Sequence, residues 1–260
     1  MVKTIITCVR HAQGYHNVST ANHALPDPDL TPLGESQCRT LAASFPEPSK
    51  ITHLVASPLR RTLYTCLLSF PTAVAAGLKV LALPELQETS DLPCDTGSAP
   101  SKLQAEFSTG QFAGTVDLSR VEEGWNSKTG RWSPASGAIE ARARDARLFL
   151  RELGKQGGDG DKEIIVVTHG GYLHYFTEDW DGYGKFTGTG WANTEFRSYE
   201  FVDKTGGDQN ASLIETKESR ARRVGSTKPL TADEQRELRA SAERAAADQG
   251  FVNGGDNAKL

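Results

Sequence analysis

Short apolar runs alternate along most of this chain with longer segments whose apolar residues recur every three or four positions. Residues 2–9, "VKTIITCV", form a nearly continuous β-branched run, the pattern of a strand covered on both faces. In "DLTPLGESQCRTLAASF", Thr31 offers an N-cap and Pro32 a first helical residue, so a helix is predicted to about Phe45, before Pro46. A second strand follows at 51–57 ("ITHLVAS"), a second helix at 58–70 and a third strand at 78–84, closed by proline. Residues 85–135 carry no strong period and are rich in Gly, Ser, Pro and Thr.

Helical periodicity resumes at 136–153, with Ser136 as a plausible cap and Ile139, Ala143, Ala146 and Leu150 on one apolar stripe. A Gly-rich turn leads into "EIIVVTH" (163–169), a fourth buried strand. The runs 194–202 and 211–216 read as a hairpin pair at a sheet edge. A final helix is expected over 231–247, opened by a Thr31-like cap at Thr231 with Glu234 in a capping-box pattern. This alternation predicts a three-layer α/β/α sandwich around a mostly parallel sheet, with 85–135 as an irregular or helical lid. The α/β domain is expected over 1–216, and 217–260 as a linker and C-terminal helix.

In such sheets ligands gather beyond the carboxyl ends of the strands. Three polar sequences sit at those ends: "RHAQGYHN" after the first strand, "SPLRR" after the second and "HGG" after the fourth. They can converge on one crevice holding His11, His169, Arg10, Arg61 and Asn17, with a carboxylate drawn from "PELQE" after the third strand. Two arginines in one crevice need an anion, and a phosphate dianion accepts their forked donors well. A neutral imidazole beside them is a competent nucleophile toward phosphorus. The arginines and second histidine would offset charge on the equatorial oxygens during in-line transfer. A carboxylic acid would protonate the departing alkoxide and then deprotonate water. The scheme requires no metal and no cofactor.

Composition narrows the field further. A formal charge of −4 over 260 residues gives no electrostatic reason to expect a nucleic acid partner. With 37% hydrophobic and 24% charged residues, an ordinary globular protein is expected. The sequence shows neither a membrane-spanning run nor a signal-peptide pattern, so a cytoplasmic location is the default and a nuclear one is compatible. Cys8, Cys38, Cys66 and Cys94 form no C-x-x-C pair and are expected as free buried thiols. His16, His23, Asp27 and Asp29 match no helical ligand spacing, and nearby arginines would repel a cation. His174 is expected in the core or beside the site, "KESRARR" (217–223) as a solvated basic face, and Trp125, Trp132, Trp180 and Trp191 mostly as packing residues, with Trp125 or Trp132 a candidate cover over the crevice.

At these residues the chain resembles the histidine phosphatase superfamily, which includes cofactor-dependent phosphoglycerate mutases. "RHAQGYHN" is similar to its R-H-G-x-x-x-x-N signature, "SPLRRTLYT" to S-P-L-x-R-x-x-x-T, and "VVTHGG" to its second-histidine segment, over roughly residues 1–175. "GTGWANTEFRSYEF" resembles the fungal mutase-like branch. The resemblance implies His11 as the phosphorylated nucleophile, Arg10, Arg61 and His169 as the phosphate pocket, and Asn17 as a contact to substrate or phosphate. Leucine, any residue, then glutamate points to Glu88 as proton donor, with Glu85 as fallback. Ala12 departs from the usual glycine.

The function so implied is metal-independent hydrolysis of a small phosphorylated substrate. A phosphoglycerate-type mutase and a non-catalytic phospho-ligand binder are the alternatives. Within 85–135 the only cations are Lys102, Arg120, Lys128 and Arg131, which favours hydrolysis and a less anionic leaving group.

Overall fold

The computed structural model describes residues 3–156, 158, 160–183, 190–223 and 228–248. Val2 of the first expected strand, the centre of the 178–193 loop, part of the expected linker and the end of the chain lie outside the described residues. The strands are β1 (Thr4–Arg10), β2 (Ile51–Ala56), β3 (Val80–Ala82), β4 (Val116–Asp117), β5 (Lys162–Thr168), β6 (Phe196–Phe201) and β7 (Leu213–Glu215). They form one seven-stranded sheet in the order β4-β3-β2-β5-β1-β6-β7. β1 to β5 run parallel, while β6 pairs antiparallel with both β1 and β7.

The continuous apolar run of β5 serves two cores. Ile165 and Val167 face one, with Val9 and Ala56, against Leu41 of α1 (Pro32–Ser44) and Leu63 and Leu67 of α2 (Arg60–Ser69). Ile164 and Val166 face the other, with Ile6, Cys8 and Val55. That second core is closed by the stripe Ile139, Ala143, Ala146 and Leu150 of α5 (Ser136–Leu153) and by Leu173 and Phe176 of α6 (Gly170–Thr177). Helices on both faces explain why the central strands lack polar alternation. All four cysteines are free and buried.

Several local expectations hold in detail. Thr31 Oγ1 accepts from the Gly34 N–H at 3.0 Å, capping α1. Thr231 and Glu234 exchange the reciprocal bonds of a capping box before α8 (Ala232–Asp248). Ser136, however, is not a cap: Ala135 holds that position, and the Ser136 hydroxyl lies 3.3 Å from that of Tyr175.

Two segments differ more. The 85–135 excursion is partly a structural component, because α4 (Pro100–Phe107) sends Leu103 and Phe107 into the core and β4 extends the sheet. A two-residue strand exists only through its pairing with β3, so it leaves no period to read. Trp125 packs into that core, as expected of most of the tryptophans, and Trp132 lies beneath the Arg131 guanidinium.

Residues 217–222 are helix α7 (Lys217–Arg222), in which Lys217 and Arg222 are exposed as expected of a solvated basic face but Arg220 is buried. Arg220 and Arg223 pair with Asp179, Asp181 and Glu215. Asp179 and Asp181 are distant in sequence, so a local charge run could not disclose these partners. α3 (Pro71–Ala75) completes the helices. Among the described residues no helix is long and apolar enough to cross a membrane.

The register sets the position of the loops. Arg10 pairs with Thr168 and Ala56 with Val167, so β1, β5 and β2 end side by side. The next residues stay bound: His11 N donates to Thr168 O at 2.9 Å and Ser57 N to Val167 O at 3.0 Å. The loop after β1 is then clamped against α1, where a Cβ on Gly34 would lie 2.1 Å from the Gln13 carbonyl oxygen. Gly34→Ala is therefore expected to cost about 1–3 kcal/mol, as overpacking against backbone does. An unchanged urea midpoint for that variant would contradict this close approach.

Candidate active site

The strand ends bring His11, His169, Arg10 and Arg61 into one buried cluster, each no more than 4% exposed. The His11 and His169 rings are 5.2 Å apart between centroids. His11 Nδ1 lies 2.7 Å from the Ala12 carbonyl oxygen, which can only accept, so Nδ1 carries the proton. Burial, Arg61, His16 and Arg10 hold His11 well below the usual histidine range, keeping it neutral. Its Nε2 therefore retains a lone pair, the state a nucleophile toward phosphorus needs.

His169 has the opposite tautomer. Arg61 Nη2 can only donate and lies 3.1 Å from His169 Nδ1, which must accept. The proton is then on Nε2, which donates to Ser57 Oγ at 2.9 Å. Burial and the Arg61 charge hold His169 neutral as well.

Arg61 organises this side of the cluster. Beyond His169 it donates to Asp95 Oδ1 at 2.8 Å and to the Cys94 carbonyl at 2.6 Å. Asp95 is fixed by the Ser90 hydroxyl on its other oxygen. Arg10 donates from Nη1 to the Trp191 carbonyl, and burial pulls its guanidinium down to about 10. The "WANTEFR" stretch brackets Arg10–His11: Thr194 N donates to Arg10 O, and Asn193 Nδ2 to His11 O at 2.9 Å. Two cationic heads, two neutral imidazoles and a backbone clamp suit a tetrahedral dianion.

Glu88 stands at the start of α6, immediately beyond His169. Its carboxylate accepts from Tyr172 N and Thr89 N, both at 2.9 Å, and from Gly171 N at 3.3 Å. A helix N-terminus favours an anion there. A Cβ on Gly171 would meet Glu88 Oε1 at 2.9 Å, so the second glycine of "HGG" permits this approach. Burial and the Asp95 charge nevertheless push the Glu88 carboxyl up, against those donors. Arg142 fixes the same loop from α5, donating to the carbonyls of Glu85, Gln87 and Glu88. Glu85 is engaged by Arg131 at 3.1 Å.

Asn17 has a local role in this state: its Oδ1 accepts from Gly14 N at 3.1 Å within the turn after β1. His174 is in the core as expected, stacked on Trp180. Asp27 binds the N–H groups of Arg60 and Ser98, and Asp29 pairs with Arg60, so these carboxylates serve the start of α2. Arg60 also grips Glu106 through both carboxylate oxygens.

The structure adds residues that motif reading missed. His16 is 8% exposed with its ring 5.3 Å from that of His11, and its Nδ1 has no partner among the described residues. Burial, then Arg61 and Arg10, pull it down to about 2. It sits inside "RHAQGYHN", so its position in that loop was the available signal. Asp95 and Lys128 lie in the aperiodic excursion, where no spacing marked them.

Comparison with known proteins follows this geometry. The profile of the histidine phosphatase superfamily (branch 1) matches residues 6–207. A phosphoglycerate mutase-like protein of Arabidopsis thaliana is 28% identical over 242 residues, covering 76% of this chain and 84% of its own. Phosphoglycerate mutase-like protein 1 of the same plant is 28% identical over 236 residues, covering 77% and 82%. Among solved structures, the ecdysone phosphate phosphatase from Bombix mori has a similar fold, with a TM-score of 0.56 at 15% identity over 88% of this chain and 95% of that one.

Three buried neutral histidines make stability depend on pH. Their native pKa values lie below the unfolded value of about 6.5, so unfolding takes up protons that the native state refuses. Stability should be full above that value and fall as pH drops from 6.5 to 5.5, with a slope approaching one proton for each histidine. His16→Asn should lower the slope by up to about one proton. Urea denaturation across that range gives the slope; a flat profile would show that the histidines are protonated in the fold.

Proposed function

This chain belongs to the histidine phosphatase superfamily, and on that footing we propose that it hydrolyses a phosphate monoester through a phosphohistidine on His11, without a metal ion. The observation that carries the reading is the tautomer of His11. Its Nδ1–H is held by the Ala12 carbonyl while burial and two arginines keep the ring neutral, leaving Nε2 basic beside a cationic pocket. Arg10 and Arg61 take the role that a divalent cation plays elsewhere in phosphoryl transfer: they bind and neutralise the equatorial oxygens.

In the first step His11 Nε2 attacks phosphorus and the ester P–O bond breaks. Glu88, whose carboxyl burial shifts toward the protonated form, gives a proton to the departing oxygen, releasing an alcohol. The imidazole then carries a positive charge, and its Nδ1–H remains on the Ala12 carbonyl. In the second step the Glu88 carboxylate takes a proton from water, whose oxygen attacks phosphorus. The P–N bond breaks, inorganic phosphate leaves, and His11 and Glu88 return to their starting states. His169 donates to the equatorial oxygens from Nε2, exchanging Ser57 for phosphate. Asn17 contacts substrate or phosphate through its carboxamide.

A mutase would have to regrip a small anionic product around this crevice. Of the four cations in 85–135, Arg131 is held by Glu85 and Asp145, and Arg120 lies over Phe149. That supports hydrolysis over mutase chemistry.

The test compares His11→Ala and Glu88→Gln with the native chain on an aryl and an alkyl phosphate. His11→Ala should lose about a thousandfold or more in kcat on both. Glu88→Gln should lose about tenfold more on the alkyl ester, whose alkoxide needs the proton, than on nitrophenyl phosphate. Chelator should leave the native rate unchanged. Activity surviving in His11→Ala, or abolished by chelator, would overturn the mechanism, and transfer between phosphoglycerate positions without released phosphate would favour the mutase.

A further inference from the structure

His16 is the imidazole that the reaction above leaves unused. It is 8% exposed, and its ring centroid lies 5.3 Å from that of His11, close to the 5.2 Å between His11 and His169. The turn that carries it is fixed on both sides. Asn17 Oδ1 accepts from Gly14 N at 3.1 Å, and Tyr15 N donates to the Asp29 carbonyl at 3.0 Å. Gly14 has an ordinary extended backbone, with φ at −97°, so its lack of a side chain serves space and not conformation. A Cβ there would lie 2.8 Å from His16 Nδ1 and 2.9 Å from Cε1. The loop makes room for this ring beside the nucleophile.

The two ring nitrogens have different surroundings. Nδ1 is sealed from solvent and has no hydrogen-bond partner among the described residues. A proton there would be a buried N–H without an acceptor, a costlier orphan than a lone pair in the same place. The proton therefore sits on Nε2, which is neither bonded nor sealed among the described residues and carries the ring's remaining opening. Burial, then Arg61 and Arg10, pull the ring down to about 2, so it stays a neutral donor. An apolar ring in this place would avoid the orphaned Nδ1. A polar one kept there, against the nucleophile, marks a use for its donor. What comes within reach of that donor is the group that becomes attached to His11.

We propose that His16 is a further catalytic residue, donating from Nε2–H to an oxygen of the phosphoryl group both before transfer and while that group sits on His11. The role rests on the phosphatase reading above and adds to it a third neutral imidazole. A neutral donor offsets charge on the phosphoryl oxygens without adding a cation. A third positive charge so close to His11 would lower the basicity of the attacking nitrogen further, and His16 avoids that.

The test uses carboxamides as stand-ins for the two ring nitrogens: the amide nitrogen of glutamine reaches the place of Nε2, and that of asparagine the place of Nδ1. Calorimetry with tungstate, a tetrahedral oxyanion, reads the contact without turnover. His16→Phe and His16→Asn should each weaken tungstate binding about tenfold, the loss of one hydrogen bond to a charged group. His16→Gln should stay within about threefold of the native chain. A residue that only fills space would be replaced best by phenylalanine and would not separate the two amides. Equal affinities of the Gln and Asn variants, or native affinity in His16→Phe, therefore overturn the proposal.

Nitrogen-15 NMR of the native chain gives a second reading that needs no folded variant. The His16 ring should carry its proton on Nε2, and that N–H signal should move downfield when tungstate binds; a proton on Nδ1, or a signal that stays in place, contradicts the contact. The outcome is separable from failure of the phosphatase reading. Tungstate affinity that follows the Gln–Asn pattern, in a chain that hydrolyses no monoester, would sink the hydrolysis and keep the contact of His16. Hydrolysis without that pattern would do the reverse, and a native chain that binds no tungstate would sink both.

Discussion

A guanidinium sealed in a protein interior must be met by acceptors on several sides, and Arg61 imposes that requirement on this fold. It is 1% exposed, and its partners come from two separate parts of the chain: Asp95 and the Cys94 carbonyl from the excursion, and His169 from the end of β5. Satisfying it fixes the tautomer of His169 and folds the segment carrying Glu88, Ser90 and Asp95 back over the strand ends. The same charge, together with burial, keeps His11 and His169 unprotonated. One buried cation thus links the packing of the excursion to the reactivity of the histidines.

The central strands were legible because their demands are local. A strand covered on both faces reads as an uninterrupted apolar run, and β1, β2 and β5 all do. Their carboxyl ends then had to lie together, which is why Arg10, His11, Arg61 and His169 could be grouped from three separated motifs. The parallel register completes that reasoning, with Arg10 opposite Thr168 and Ala56 opposite Val167.

What remained hidden depends on contacts across long separations. Asp95 follows a proline and a cysteine in a segment without period, and nothing local tells that its carboxylate meets a guanidinium on α2. Arg220 of α7 and Arg223 just beyond it find their aspartates at 179 and 181, roughly forty positions earlier, so their charge reads locally as a solvated face. Glu88 lies between these cases: the motif pattern singled it out, but its seat at the start of α6 depends on Gly171 having no side chain.

Hydrolysis by this route requires a covalent bond between phosphorus and His11 Nε2. Rapid quenching of the native protein with a radiolabelled phosphate monoester, followed by peptide mapping, examines that bond directly. The label should be stable in base, labile in acid, and confined to the peptide containing His11. Label on another residue, or release of phosphate with no labelled protein at any quench time under conditions that preserve phosphohistidine, would contradict it.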